Sequence, residues 1–291
     1  MTVHVAMSSV AGGVMFSDSQ ASIASEDEEF SGFEKQFCGP DFLVGVAGLA
    51  VIADEMFDRL SLLVSEAGVY LSSSNVESVI RSYLEAEVQP DVARRMELLV
   101  VTPNPGHMMV SQYMPSVFRR FGQRSAFGAV GTGARFLSRA LVRDIEIGVE
   151  LQLGSLVDLL VTVHRYAAAA SRSLTVNDRF FVGYLVGNRT YCMGHREIFP
   201  AHAPRALRDA WPEASARFDG ILGLVRTIEG EFQNARRAFS SITVGELDAR
   251  ARRQIKDSSA SIRQDRARLR KALRDYFQWY DRLLERTATA V

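Results

Sequence analysis

Cysteine is nearly absent: two occur in 291 residues, Cys38 and Cys192. They lie far apart and have no Cys or His at metal-ligand spacing, which excludes a disulfide-stapled scaffold and a structural zinc site. Both are expected to be reduced, packed thiols. Net charge is also missing, since Lys plus Arg and Asp plus Glu each number 34 and give a formal charge of +0. The molecule as a whole therefore exerts no long-range pull on nucleic acid or an anionic membrane. No apolar run approaches the ~18 residues that span a bilayer, and no basic segment followed by an apolar one opens the chain. A cytoplasmic protein with no membrane partner is expected. The five histidines are scattered, none placed for a triad or a metal site, so no cofactor or metal is expected.

What is present is an ordinary composition, 47% hydrophobic and 23% charged, with length enough for one large domain or a domain plus an appendage. Residues 2 to 8 and 13 to 17 alternate as two strands around Ala11-Gly12-Gly13, which predicts a hairpin. A polar, acidic loop from Glu26 to Ser31 leads to Glu34-Lys35-Gln36-Phe37, and Asp41 to Val46 supplies a strand ending in Ala47-Gly48. Helical spacing takes over from Leu49 to Glu66 and again after Asn75. Leu98 to Thr102 and Met108 to Tyr113 flank the turn-rich Pro103-Asn104-Pro105-Gly106. Ala126 to Val130 runs into Gly131-Thr132-Gly133, and two consecutive helices are expected over Arg135 to Ile147 and Leu156 to Ser171. Phe180 to Val186 and Thr190 to Met193 then form a hairpin over Gly187-Asn188. Strands, two helices, strands, two helices, strands is an α+β order that fits two packed sheets enclosed by helices.

Beyond Pro200 no strand pattern returns, so the expected division is a domain over 1–200 and a helical extension over 201–291. Phe218, Ile221, Leu222, Val225, Ile228 and Phe232 share one helical face. Ile255, Ile262, Leu269, Tyr276 and Leu283 recur every seven residues, while the second seam holds Ser259, Arg266, Leu273 and Tyr280. That is partial coiled-coil character. Arg263, Arg266, Arg268, Arg270, Lys271 and Arg274 interleave with aromatics but match no nucleic-acid motif, and packing on a neighbouring subunit is the stronger expectation.

The second residue carries the most chemistry. If Met1 is removed, Thr2 offers a hydroxyl and a free α-amino group on one residue, and such a pair is a recognised way to activate a threonine nucleophile. An α-amine titrates at about 7.7 to 8.0, and a neighbouring cation raises its neutral fraction. Lys35 is the candidate cation, and Asp18, ending the second strand, is the carboxylate to orient it.

Four segments in order resemble the β-type subunits of the proteasome superfamily, and the bacterial HslV peptidases most. They are Thr2-Val3-His4-Val5-Ala6 with Gly12-Gly13-Val14; Ser17-Asp18-Ser19-Gln20-Ala21-Ser22; Lys35-Gln36-Phe37 with Val46-Ala47-Gly48 and Asp54; and Ala129-Val130-Gly131-Thr132-Gly133 running into Arg139-Ala140-Leu141. Gln20 matches the HslV form, where proteasome subunits usually carry arginine. Lys35 stands one position further from Thr2 than in that pattern, Thr132 replaces a usual serine, and the helical extension has no counterpart in the short bacterial subunits.

The resemblance implies a four-layer αββα sandwich of the N-terminal nucleophile (Ntn) hydrolases, here with a C-terminal helical extension. It implies Thr2 as nucleophile with its own amine as base, Lys35 as the cation near both, Asp18 as the lysine's partner, the Gly48 amide as oxyanion donor and the Thr132 hydroxyl near the amine. Ser171, Ser173, Thr175, Asn177 and Asp178 all lie where the family supports that amine, and the choice among them stays open. The implied activity is a threonine endopeptidase acting on peptides or unfolded proteins inside a homo-oligomeric ring or stack, with an ATPase partner left open. Two alternatives stand beside it: an amidase or transpeptidase for one defined amide, and a non-catalytic scaffold.

Overall fold

The computed structural model describes residues 2–22, 29–30, 32–65, 71–105, 108–110, 117–121, 124–137, 154–171, 178–240 and 249–288. By internal contacts the chain divides into two units, Met1–Ser215 and Ala216–Val291. The division falls 15 residues beyond Pro200, because Trp211 belongs to the first unit: its ring stacks on Phe181 at 5.8 Å and its indole N–H donates to the His195 carbonyl at 3.3 Å.

The first unit is α+β with antiparallel sheets. Its strands are β1 (His4–Ser9), β2 (Gly12–Asp18), β3 (Ala21–Ser22), β4 (Glu29–Phe30), β5 (Gln36–Cys38), β6 (Leu43–Ala47), β7 (Glu97–Val101), β8 (Met108–Val110), β9 (Val117–Phe121), β10 (Ser125–Val130), β11 (Phe180–Val186) and β12 (Arg189–Gly194). Its helices are α1 (Ala50–Ser65), α2 (Val76–Ala86), α3 (Pro90–Ala93), α4 (Leu156–Ala170) and α5 (Arg205–Asp209), and α6 (Trp211–Ser240) begins in it. One sheet has the order β12-β11-β2-β1-β10-β9, a second β5-β6-β7-β8, and among the described residues β3 pairs only with β4. The β1–β2 hairpin lies at the centre of the larger sheet, with Ser9 opposite Gly12 and His4 opposite Ser17.

The two-residue period of a strand explains how the sheets pack. Leu43, Ala47, Leu99 and Val101 meet Ala6, Met15, Ala126, Val130 and Leu185 in one cluster between the sheets. Their neighbours Val44, Val46, Leu98 and Val100 point the other way and pack with Met56, Phe57 and Leu60 of α1 and Val76, Ile80 and Tyr83 of α2. On the far face of the larger sheet α4 lies across β1 and β2, with Phe16 edge-on to His164 at 5.7 Å. Each fully buried large apolar side chain contributes about 1.5 to 3 kcal/mol. A slip of one residue in any of these strands would exchange both faces at once.

The segment from Arg135 departs from expectation. Thr132–Phe136 is a 3₁₀ turn that Leu137 ends in extended conformation, and the expected helix beyond it lies outside the described residues. Gly131, with φ at +90°, turns the chain into this segment, and its hydrogen bonds close over three residues, from the Ala134 N–H to the Gly131 carbonyl and from the Leu137 N–H to the Ala134 carbonyl.

In the second unit, α6 buries Phe218, Ile221, Leu222, Val225 and Ile228. Arg217 of α6 lies over the Trp279 ring, in the late part of α7 (Ala249–Ala288), at 5.0 Å. The buried stripe of α7 is Ser258, Ile262, Asp265, Leu269, Leu273, Tyr276 and Tyr280. Of the expected second seam, Leu273 and Tyr280 are buried, but Ser259 is exposed and the compact Ser258 and Asp265 take the inward places in the earlier half. Ser258, Leu269 and Tyr280 stand eleven apart, as do Ile262 and Leu273, and Asp265 and Tyr276. An eleven-residue repeat follows a nearly straight helix more closely than a seven-residue one does.

The described helices include none long and apolar enough to cross a membrane.

His202, in the turn before α5, ties the loop before β5 to α1. Its Nδ1 lies 3.0 Å from Glu34 Oε2 and its Nε2 3.2 Å from Asp58 Oδ1, while its backbone N–H donates to Glu34 at 3.0 Å. Burial lowers its pKa, but the hydrogen bonds and charges of Glu34 and Asp58 outweigh that and raise it above the ordinary 6.5. A raised native pKa means that the protonated clamp stabilises fully below the unfolded value and that this stability is lost as pH climbs through the native one. His202→Gln should therefore cost about 1 kcal/mol or more at pH 6 and progressively less toward pH 9, read as the difference in urea unfolding from the parent chain. A pH-independent difference would contradict the clamp.

Candidate active site

The carboxylate of Asp18 is the hub. It is fully buried at the end of β2 and accepts from the Val3 N–H at 2.7 Å through Oδ1 and from the Gln20 N–H at 3.1 Å through Oδ2. Lys35 Nζ donates to the same Oδ2 at 3.0 Å and also to the Gln20 carbonyl, at 4% exposure. One carboxylate thus bridges the peptide that follows Thr2 and the ammonium of Lys35. Burial pushes the Asp18 carboxyl up and the Lys35 ammonium down in pKa, and each opposes this in the other through the ion pair. Two backbone donors add to the ammonium in favouring the ionised carboxylate. Removing either partner would leave an uncompensated buried charge, typically a loss of about 3 to 5 kcal/mol.

Thr2 is 7% exposed and lies against the turn after β10. Its backbone N–H donates to Thr132 Oγ1 at 3.2 Å, and its carbonyl accepts from the Gly133 N–H at 3.2 Å and the Thr132 hydroxyl at 3.4 Å. Gly131 makes the approach feasible with φ at +90°: a Cβ there would sit 2.2 Å from the Thr2 carbonyl oxygen and 3.4 Å from Ala47 Cβ. The Gly131 N–H donates to the buried Glu97 carboxylate at 2.6 Å. Glu97 is opposite Ala47 in the β6–β7 register, so β7 anchors the turn beside both Thr2 and the end of β6. Gly48 follows Ala47 with φ at +140° and is exposed.

Four expected residues, Thr2, Asp18, Lys35 and Thr132, are therefore joined by hydrogen bonds directly or through one peptide, and Gly48 adjoins them through Ala47. Of the residues left open for supporting the amine, Ser171 donates its hydroxyl to the Ala168 carbonyl at 3.0 Å at the end of α4, and Asp178 is exposed. Ser173, Thr175 and Asn177 lie outside the described residues. Glu97 was not anticipated from sequence. Its signal was a single carboxylate at the head of the otherwise apolar run Glu97-Leu98-Leu99-Val100-Val101.

His4 also gains a role that its isolation in the sequence concealed. Between the sheets, its Nε2 lies 2.8 Å from the Val46 carbonyl and its Nδ1 2.7 Å from Ser17 Oγ. Ser17 Oγ is 2.9 Å from the Gln36 side-chain amide, whose other end is 3.8 Å from Cys38 Sγ. Burial drives the His4 pKa to about 3, with the Lys35 cation acting in the same direction and the Val46 carbonyl against both. The ring is neutral, so proton count fixes the chain. A carbonyl only accepts, so His4 Nε2 carries the hydrogen and Nδ1 accepts from Ser17. Ser17 has then spent its one proton and must receive from Gln36, whose amide oxygen and nitrogen are told apart by partners rather than shape.

No protein-family model matches the chain, and no curated protein sequence matches it. Among the described residues no cluster of three His, Cys, Asp or Glu is placed to hold a metal ion.

Gly131→Ala tests the approach of turn to strand. Strained φ and a Cβ inside the Thr2 carbonyl predict a loss of about 2 kcal/mol or more in urea unfolding. A change below about 0.5 kcal/mol would show that the turn does not press on Thr2.

Proposed function

We propose that the first unit is an Ntn-hydrolase sandwich of the proteasome β-subunit and HslV type, and that the chain is a threonine peptidase acting from Thr2 after removal of Met1. One observation carries the reading: the Thr2 backbone nitrogen is held by Thr132 Oγ1 while Asp18 binds both the next peptide N–H and Lys35. Two facing antiparallel sheets, with α1 and α2 on one outer face and α4 on the other, agree with that fold.

In the proposed mechanism, loss of Met1 converts the Thr2 nitrogen into an amine at the position that Thr132 already binds. The buried Lys35 ammonium disfavours a second cation nearby, so the amine stays neutral at cellular pH and accepts the hydroxyl proton as Oγ attacks the peptide carbonyl. The tetrahedral oxyanion is stabilised by the Gly48 amide, a donor of a kind worth about 3 kcal/mol. The protonated amine then gives its proton to the departing nitrogen, leaving an ester on Thr2 that water hydrolyses by the same steps in reverse order. A homo-oligomeric ring or stack would enclose these sites, with peptides or unfolded proteins as substrates. The C-terminal helices belong at subunit contacts in this reading.

A fluorogenic peptide panel with product mass analysis tests it. The parent chain should hydrolyse several unrelated sequences, Thr2→Ala should lose at least about 10³-fold in kcat/KM, and Thr2→Ser should keep measurable turnover. Activity unchanged in Thr2→Ala would end the proposal. Joining of one peptide to an acceptor, without general hydrolysis, would replace the peptidase by a transferase.

A further inference from the structure

We propose that Cys38 and Cys192 are a redox modification site: the two thiols close reversibly to a disulfide that bonds the smaller sheet to the larger. The proposal stands apart from the peptidase reading and would survive its failure.

Distance in sequence hid this pair. Cys38 ends β5, an edge strand of the four-stranded sheet, and Cys192 lies in β12, an edge strand of the six-stranded sheet. The two edges pack together. The Thr190 N–H donates to the Pro40 carbonyl at 3.2 Å and its hydroxyl donates to the Gly39 carbonyl. Two residues along from that contact in each strand stand Cys192 and Cys38. Cys192 is opposite Gly183 in the β11–β12 register, and the Cβ position of Gly183 faces Gln36 and Leu43 of the smaller sheet. Cross-strand neighbours share a face, so the Cys192 side chain points into the same space. Cys38 packs against the cluster between the sheets and is hydrogen-bonded to the Cys192 thiol. Both sulfurs therefore occupy one site, and the chain has no third cysteine to compete for either.

Cys38 is half-buried, with its sulfur turned into the cluster between the sheets, and Cys192 is 1% exposed, so Cys38 is the thiol nearer an oxidant and Cys192 the resolving thiol. With a hydroperoxide as the two-electron oxidant, the Cys38 thiolate attacks the near peroxide oxygen, the O–O bond breaks, and hydroxide or alkoxide leaves. The Cys192 thiolate then attacks the resulting sulfenic sulfur, the S–S bond forms, and hydroxide leaves, taking up a proton as water. Two thiols have lost two electrons and the peroxide has gained them.

The Cys38 thiol lies 3.8 Å from the Gln36 side-chain amide, and hydrogen-bonded groups run from there through Ser17 and His4 to the Val46 carbonyl, two residues before Gly48. A disulfide at Cys38 replaces the thiol at the head of that series. Burial holds the Cys38 thiol protonated well above the ordinary range, which makes the site slow at neutral pH and faster as pH rises.

The test uses the full chain incubated with hydrogen peroxide, quenched by catalase, alkylated with N-ethylmaleimide in denaturant and weighed intact. The expected product is about 2 Da lighter than the reduced chain, carries no label, regains two labels after dithiothreitol, and yields a peptide cross-link between the Cys38 and Cys192 segments. Its formation should quicken about tenfold per pH unit between pH 7 and 9, and the oxidised chain should melt about 5 °C or more higher. Cys192→Ser should give no such species, and the parent-chain cross-link decides the matter even if that variant folds poorly. Two alkylatable thiols after peroxide at every pH, a stable sulfinic acid on Cys38, or a cross-link between two copies would each overturn it.

Discussion

One buried carboxylate sets the geometry on which the rest depends. Asp18 has no exposure and three donors, two of them backbone N–H groups on either side of the opening hairpin and the third the Lys35 ammonium. A charge so enclosed persists only while all its donors are in place. The start of β1, the loop after β2 and the segment before β5 are therefore held relative to one another within hydrogen-bond tolerance. Thr2 inherits that precision from its neighbour Val3, and Glu97 repeats the device from the opposite side by holding Gly131 against the Thr2 carbonyl.

Between the sheets, polar order takes over from apolar packing at one end. Ala6, Met15, Leu99 and Leu185 make an ordinary dry cluster, but His4, Ser17 and Gln36 are wholly buried beside it. Their cost is offset because each proton has one acceptor, an arrangement possible only with a neutral imidazole. Gly45 and Gly183 supply the room, since a Cβ on either would run into His4 or Gln36. The same small residues that let the sheets approach also let this series run from the Cys38 edge to the strand that precedes Gly48.

Much of this was legible in the sequence. The α+β order, the opening hairpin, the two helices after Gly48 and the final hairpin follow from period and turn residues that local physics controls. Of the residues picked out around Thr2, Thr132 contacts its backbone directly, while Asp18 holds the next peptide N–H and pairs with Lys35; a polar residue at the end of β2, before β5 and in the Gly131-Thr132-Gly133 turn was visible in each case. Glu97, His4 and the nearness of Cys38 to Cys192 were not legible, because they arise from which strands become neighbours across the sheets. The second seam of α7 holds at Leu273 and Tyr280, but its first half is shifted by one residue to Ser258 and Asp265, where two adjacent serines gave the sequence no chemical difference to read.

The proposed peptidase activity requires that Thr2 become the terminal residue and that its own amine activate its hydroxyl near the buried Lys35 ammonium. Intact mass spectrometry of the native protein, before and after a peptide epoxyketone or β-lactone, interrogates both parts at once. The account predicts a chain lacking Met1 that gains one inhibitor mass on the Thr2-containing peptide. A chain that retains Met1, or one that begins at Thr2 and takes up no inhibitor, would contradict it.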